Sequence, residues 1–216
     1  MIAVPIIVGI LSLIGAIIVI AIRQDKKRTE DLAAAAGRMN FTFAKEASPH
    51  LLSTVEHFKL FSAGHSKKIR NVFTGKAGDL DVSVFDYRYT TGGGKNSNTS
   101  RQTVMLFESD QLEFPRFALR PESVFHKIGQ VFGYEDIDFA THEEFSKRYL
   151  LRGEDENAVR STFSSAALSF YETDRTLSTE AHGRQLIHYR ARKRMAPEQL
   201  QDFITEGVRV LTLLRR

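Results

Sequence analysis

The chain has 216 residues, no cysteine, no tryptophan, sixteen phenylalanines and a formal charge of +4. That length suits one folded domain or two small ones, and the missing cysteine excludes disulfide scaffolds, thiol nucleophiles, iron–sulfur clusters and cysteine-ligated zinc. The 42% hydrophobic content is unevenly spread, because residues 1–22 hold eighteen such residues and all 56 charged residues come after them.

Residues 2–22 read IAVPIIVGILSLIGAIIVIAI, relieved only by Pro5, Gly9, Ser12 and Gly15. As a helix, twenty-one residues rise about 31 Å, the thickness of a bilayer's hydrocarbon. A cleaved signal peptide would need a basic n-region and a small-x-small cleavage site, and neither is present. The sequence therefore predicts a transmembrane anchor over 1–22, a juxtamembrane helix over 23–40 and an α+β domain over 41–216, with a subdivision near 121. Arg23, Lys26, Lys27 and Arg28 crowd the polar flank of the run. By the positive-inside rule they put the N-terminus outside and the domain in the cytoplasm, and they are the expected contacts with anionic headgroups. The small residues Gly9, Ser12 and Gly15 leave a homo-oligomer through this helix open.

Beyond the flank, RTEDLAAAAG predicts a helix stopped by Gly37 and continuous with the anchor. Residues 40–43 alternate as a short strand, and 49–57 form a helical turn or two. Stretches 57–62, 68–76, 79–91, 100–109 and 116–120 are rich in β-branched and aromatic residues and predict strands. Ala77-Gly78 reads as a tight turn, and the loop GGGKNSNT over 92–99 reads as the tip of a long hairpin. Pro121 opens a helix with Val124, Phe125, Ile128 and Val131 or Phe132 on its apolar side. Residues 148–152 predict a buried strand. A helix follows, negative at its start through Glu154-Asp155-Glu156 and broken near Ser164. Residues 175–181 and 184–192 pair through His182-Gly183. The last helix, opened by Pro197, carries Leu200, Phe203, Ile204, Val208, Leu211 and Leu214 on one stripe. The pattern predicts an α+β fold with a mainly antiparallel sheet covered by one layer of helices.

Charge is arranged in blocks. Residues 121–180 hold twelve acidic and six basic residues, whereas 181–216 hold three acidic and eight basic. The basic flanks suit anionic lipid beside the anchor.

No pattern of catalysis survives inspection. Gly92-Gly93-Gly94-Lys95 is not a phosphate loop, since Tyr89 and Asn96 occupy the positions of the first glycine and of the magnesium-binding hydroxyl. His142-Glu143-Glu144 lacks the second histidine of HExxH. His182 and His188 stand six apart, a spacing that would share one sheet face, but no carboxylate partner is near in sequence. The clusters Glu135-Asp136-Ile137-Asp138 and Glu154-Asp155-Glu156 read as solvated turns and helix starts. Neither GxSxG nor GxGxxG occurs. The run Arg190-Ala-Arg-Lys-Arg194 suits lipid phosphate better than nucleic acid, which usually needs a basic face interleaved with aromatics. The sequence thus assigns no catalytic, cofactor-binding or metal-ligating residues and no cofactor.

The most distinctive string is FDYRYT over 85–90. Phe85, Tyr87 and Tyr89 fill one sheet face, while Asp86 and Arg88 share the other and could pair. Asp86, Arg88 and Lys95 are the candidate surface for a ligand or partner. Together with the anchor and the short alanine-rich helix, the stretches NVFTGKAGDLDVSVFDYRYTTGGGKN and RYLLRGEDENAVRSTF resemble a group of uncharacterised bacterial single-pass membrane proteins. The resemblance implies a bacterial inner membrane and carries over no functional residue. The expected role is a membrane-anchored cytoplasmic interaction or scaffold module, binding a protein partner or the anionic membrane surface. The alternative is a small-ligand sensor or enzyme with a pocket near Asp86, Arg88 and Lys95 or the acidic cluster.

Overall fold

The computed structural model describes residues 3–125 and 135–215, with all their side chains except those of residues 3–12, 124 and 125. Helix α1 (Ala3–Arg38) runs unbroken from the apolar stretch into the body of the domain. Gly37 lies inside it and does not stop it. The stop comes at Asn40, which adopts φ 57° while its N–H donates to Gly37 O and the Phe41 N–H donates to Ala36 O. This pair of bonds satisfies the last carbonyls of the helix and turns the chain into β1 (Thr42–Glu46).

Ser48 then caps α2 (Pro49–Val55) by accepting the Leu51 N–H. Residues 57–62, expected as a strand, instead contain a helical turn, α3 (Lys59–Ser62). The reason is tertiary. The Glu180 carboxylate accepts the Lys59 N–H at 2.6 Å and the Leu60 N–H at 3.1 Å, capping the turn from 120 residues away. The long meander follows as β2 (His65–Ala77), β3 (Leu80–Thr91) and β4 (Asn98–Glu108). Gly78, at φ +66°, makes the first turn, and the 92–99 loop the second, around a short 3₁₀ turn at Gly94–Asn96.

β5 (Phe114–Pro121) leads into α4 (Glu122–Phe125), and the rest of the helix expected after Pro121, with Ile128 and Val131 or Phe132, lies outside the described residues. Next come α5 (Glu143–Ser146) and β6 (Tyr149–Gly153). The predicted break at Ser164 separates α6 (Glu156–Thr162) from α7 (Ser165–Thr173), because the Ser164 hydroxyl caps the second helix. The hairpin of β7 (Leu177–Gly183) and β8 (Gln185–Arg190) precedes a 3₁₀ turn (Pro197–Gln199) and α8 (Leu200–Leu214).

All eight strands join one antiparallel sheet in the order β1-β2-β3-β4-β8-β7-β5-β6. The sheet runs without interruption across position 121, because β5 pairs with both β6 and β7. The fold is α+β, as expected, but helices cover both faces and not one. On the first face, Val82, Val84, Met105 and Leu119 pack with α1, α6, α7 and α8. On the second, Phe85, Tyr87, Tyr89, Val104 and Tyr189 pack with α2 and α3. Each large side chain so buried stabilises the fold by about 1.5–3 kcal/mol. On α8 the stripe centres on Gly207 and Val210, with Ile204 and Val208 at its margin. A Cβ on Gly207 would stand 2.6 Å from Met105 Sδ, so the bare backbone here lets the end of the Met105 side chain lie against the helix, and a larger residue would have to displace it.

Among the described residues, no helix is long and apolar enough to cross a membrane. The expected span, residues 2–22, falls in large part on residues 1–12, whose side chains lie outside those described. The remainder is unpartnered by the domain. Leu13, Ile14, Ile17, Ile18, Val19, Ile20 and Ile22 are each 48–63% exposed.

Candidate functional site at the root of the N-terminal helix

The site is built where α1 leaves the sheet. Alternation along β3 sends Phe85, Tyr87 and Tyr89 into the second core and turns Val82, Val84, Asp86 and Arg88 to the first face. Over Val82 and Val84 this face is sealed by Leu32, Ala35 and Ala36 of α1. One turn of helix earlier the contact becomes ionic. Arg28 Nε and Nη2 donate to the two oxygens of Asp86, both at 2.8 Å, and the two side chains are only 14% and 12% exposed. Asn71 Nδ2 (3.0 Å) and Thr103 Oγ1 (3.1 Å) also donate to Asp86, and Thr103 accepts the Met195 N–H (2.9 Å). The carboxylate thus ties α1 to three strands and to the segment before α8.

The ion pair differs from the expected one. Asp86 pairs with Arg28 and not with Arg88, because residues two apart on a strand stand parallel about 7 Å apart, while Arg28 points straight at the carboxylate. Arg28 is therefore turned inward, away from the role of a headgroup contact. Arg23, Lys26 and Lys27 remain exposed, Lys26 with Glu30 beside it at 3.8 Å.

Beside the Asp86 node lies an open cleft of about 60 Å³, lined by Asp25 and Thr29 of α1 and by Lys68, Arg70, Arg88, Arg101 and Arg194. Its cations come from the sheet register. Lys68 is the partner of Arg88 on β2, and Arg101 is the partner of Arg88 on β4, so three positive side chains stand abreast across three strands. Like charges directly opposite one another repel at Cβ separations of about 5 Å. Glu46 reaches Lys68 at 3.7 Å and Arg70 at 3.4 Å from the rim, and Asp25 reaches Arg194 at 3.7 Å. Among the described residues, no carboxylate pairs with Arg88 or Arg101. Asp86 is already filled by its own donors.

Of the sequence candidates, Asp86 and Arg88 meet at this cleft. Lys95 does not join them, standing exposed in the hairpin tip. Lys68, Arg70, Arg101 and Arg194 were not singled out for this surface. Folding the β3–β4 hairpin about its loop brings the stretch around Arg101 alongside Arg88, and the observed register sets the two directly opposite. The basic run divides: Arg194 lines the cleft, while Arg190 bonds Glu206 and Asp174.

The remaining polar clusters are structural. His182 and His188 lie on opposite faces, contrary to their even spacing, because the turn pairs His182 with Gln185 and hence His188 with Thr179. His188 is fully buried, donating from Nε2 to Glu206 (3.0 Å) and accepting at Nδ1 from Thr179 (3.3 Å), itself bonded to Tyr171. Burial pushes its pKa down. Burial alone would raise Glu206, but the bonds from His188 and Arg190 outweigh it and hold the carboxyl at about 2. In the acidic clusters, Asp136 accepts the Leu151 N–H (2.8 Å) and Asp155 caps α6. No group of three or more His, Asp or Glu residues able to hold a metal occurs among the described residues.

No protein-family model matches this chain, and no curated protein matches it. Among solved structures it is similar to the mycobacterial trehalose monomycolate transport factor A, TtfA. The TM-score is 0.61 at 12% identity, over 86% of this chain and 91% of that one. At that identity the likeness speaks for the fold alone.

Proposed function

We propose that the chain is a membrane-anchored interaction module, with residues 2–22 in the bilayer, its N-terminus outside and its α+β domain held at the cytoplasmic surface. The observation that carries this reading is the two-ended character of α1. One end presents seven large apolar side chains to solvent, and the other is locked to the sheet by the bidentate Arg28–Asp86 pair. Exposed apolar surface of that extent marks a membrane or protein contact, and a twenty-one-residue uncharged run is of bilayer length. Arg23, Lys26 and Lys27 lie on the exposed side of the same helix, where cytoplasmic anionic headgroups would meet them. The neighbour that shares this fold is a transport factor, which favours a membrane-associated role.

On this reading the domain serves as a contact surface. Its cores are filled, and the cleft beside Asp86 is open and cationic. A topology assay tests the reading. A C-terminal reporter active only in the cytoplasm should work and one requiring export should stay silent, whereas the reverse pattern would overturn it.

A further inference from the structure

We infer that the cleft at the root of α1 is a phosphate-binding site, with Arg88 and Arg101 as the pair that clamps the anion and Lys68, Arg70 and Arg194 around it. Three observations converge. The first is a basic row left partly unneutralised: Lys68, Arg88 and Arg101 stand side by side in the sheet, among the described residues only Lys68 of the three meets a carboxylate (Glu46, 3.7 Å), and the neighbouring Asp86 has both oxygens taken by Arg28, Asn71 and Thr103. A fold that sets two guanidinium groups opposite each other bears their repulsion, and a bound anion removes it. Paired guanidinium forks match phosphate oxygens bidentately.

The second observation is size. A cleft of about 60 Å³ holds roughly four water-sized groups, room for one phosphoryl group, and its open mouth leaves whatever that group is attached to in solvent.

The third is height. Asp25 and Thr29, which line the cleft, follow Ile22 by three and seven residues, hence by about 4.5 and 10 Å along the helix. The polar headgroup layer extends roughly 5–8 Å beyond the hydrocarbon. With residues 2–22 in the bilayer, the cleft opens at the level of lipid phosphates. The site itself does not depend on the anchor; only the lipid source of the phosphate rests on it.

The test uses the full chain in neutral detergent, melted with and without inorganic pyrophosphate at constant ionic strength, beside the R88Q/R101Q variant. The wild type should melt higher in pyrophosphate, and the variant should bind it about tenfold or more weakly. Without pyrophosphate the variant should melt at or above the wild type, since its like charges are gone. R101Q alone serves should the double variant fail to fold. No shift in the wild type, or an equal shift in both proteins, overturns the site.

A second arm distinguishes the sources, using the chain in nanodiscs of phosphatidylcholine alone or mixed with phosphatidylglycerol. A higher melting point in the anionic discs, with no further gain from pyrophosphate, identifies a lipid headgroup. An undiminished gain from pyrophosphate in those discs identifies a soluble phosphate compound. Failure to enter discs at all would count against the anchor while leaving the pyrophosphate result to decide the site.

Discussion

Two carboxylates, one buried and one half-buried, on opposite sides of the sheet, tie helices to it in different ways. Glu180 is sealed: Arg120 Nη2 donates to it at 2.5 Å, Tyr189 at 2.9 Å, and the Lys59 and Leu60 N–H groups complete its shell, with the two charged side chains 2% and 6% exposed. Asp86 sits at the rim, just as fully bonded, but next to Arg88 and Arg101, which have no carboxylate partner among the described residues. The difference separates a node that serves folding alone from one that also borders a usable surface. A fully satisfied carboxylate holds an element in place, and its neighbours' unsatisfied charge is what remains for a ligand.

Breaking the sealed node should cost most. E180A deprives the buried Arg120 of its carboxylate and uncaps α3, an expected loss of about 3–5 kcal/mol, or roughly 10 °C in thermal melting. If E180A melted like the wild type, the two nodes could not be ranked as we rank them. Breaking the rim node should cost less, about 2 kcal/mol for D86A, because water reaches the site. Its signature is local: hydrogen exchange of residues 28–36 should quicken while the β7–β8 hairpin stays protected.

A third polar node sharpens the comparison through pH. His188 is lowered in the folded state, so below its ordinary value of 6.5 the unfolded chain binds the extra proton and stability declines. Glu206 is lowered from 4.5 to about 2, so its contribution is present above pH 4.5 and is lost as pH falls towards 2. Chemical denaturation should therefore show two successive acid losses, and E206Q should shrink the lower one, to which Asp174, also held low by its bonds to Thr176 and Arg190, still contributes. The smallest effect has the opposite sign. R88Q/R101Q should gain a few tenths to about 1 kcal/mol in phosphate-free buffer, readable as a small rise in the urea midpoint.

The sequence made local features legible and concealed distant ones. The strands of the meander, the break at Ser164 and the burial of Phe85, Tyr87 and Tyr89 all follow from short-range alternation and capping. The turn at 59–62 was misread because its cap, Glu180, arrives from 120 residues away. The side-chain face of Asp86 follows from the alternation of β3, but its ionic partner, Arg28, lies 58 residues upstream on another element. The opposition of Arg88 and Arg101 depends on the register of a hairpin with a long loop, which residue types alone do not fix. The spacing of His182 and His188 predicts a shared face, and they lie on opposite ones because the turn between them sets the register of β8: one residue of register reverses every side chain.

The central claim is that the apolar end of α1 lies in a bilayer, and flotation of the full chain with vesicles, before and after carbonate washing, tests it most directly. The wild type should float and resist the wash. I14D/I18D places two charges in the hydrocarbon at a cost of about 3 kcal/mol each, so it should stay at the bottom of the gradient with the domain's melting point unchanged. A wild type washed off by carbonate, or a variant that floats as well as the wild type, would contradict the account.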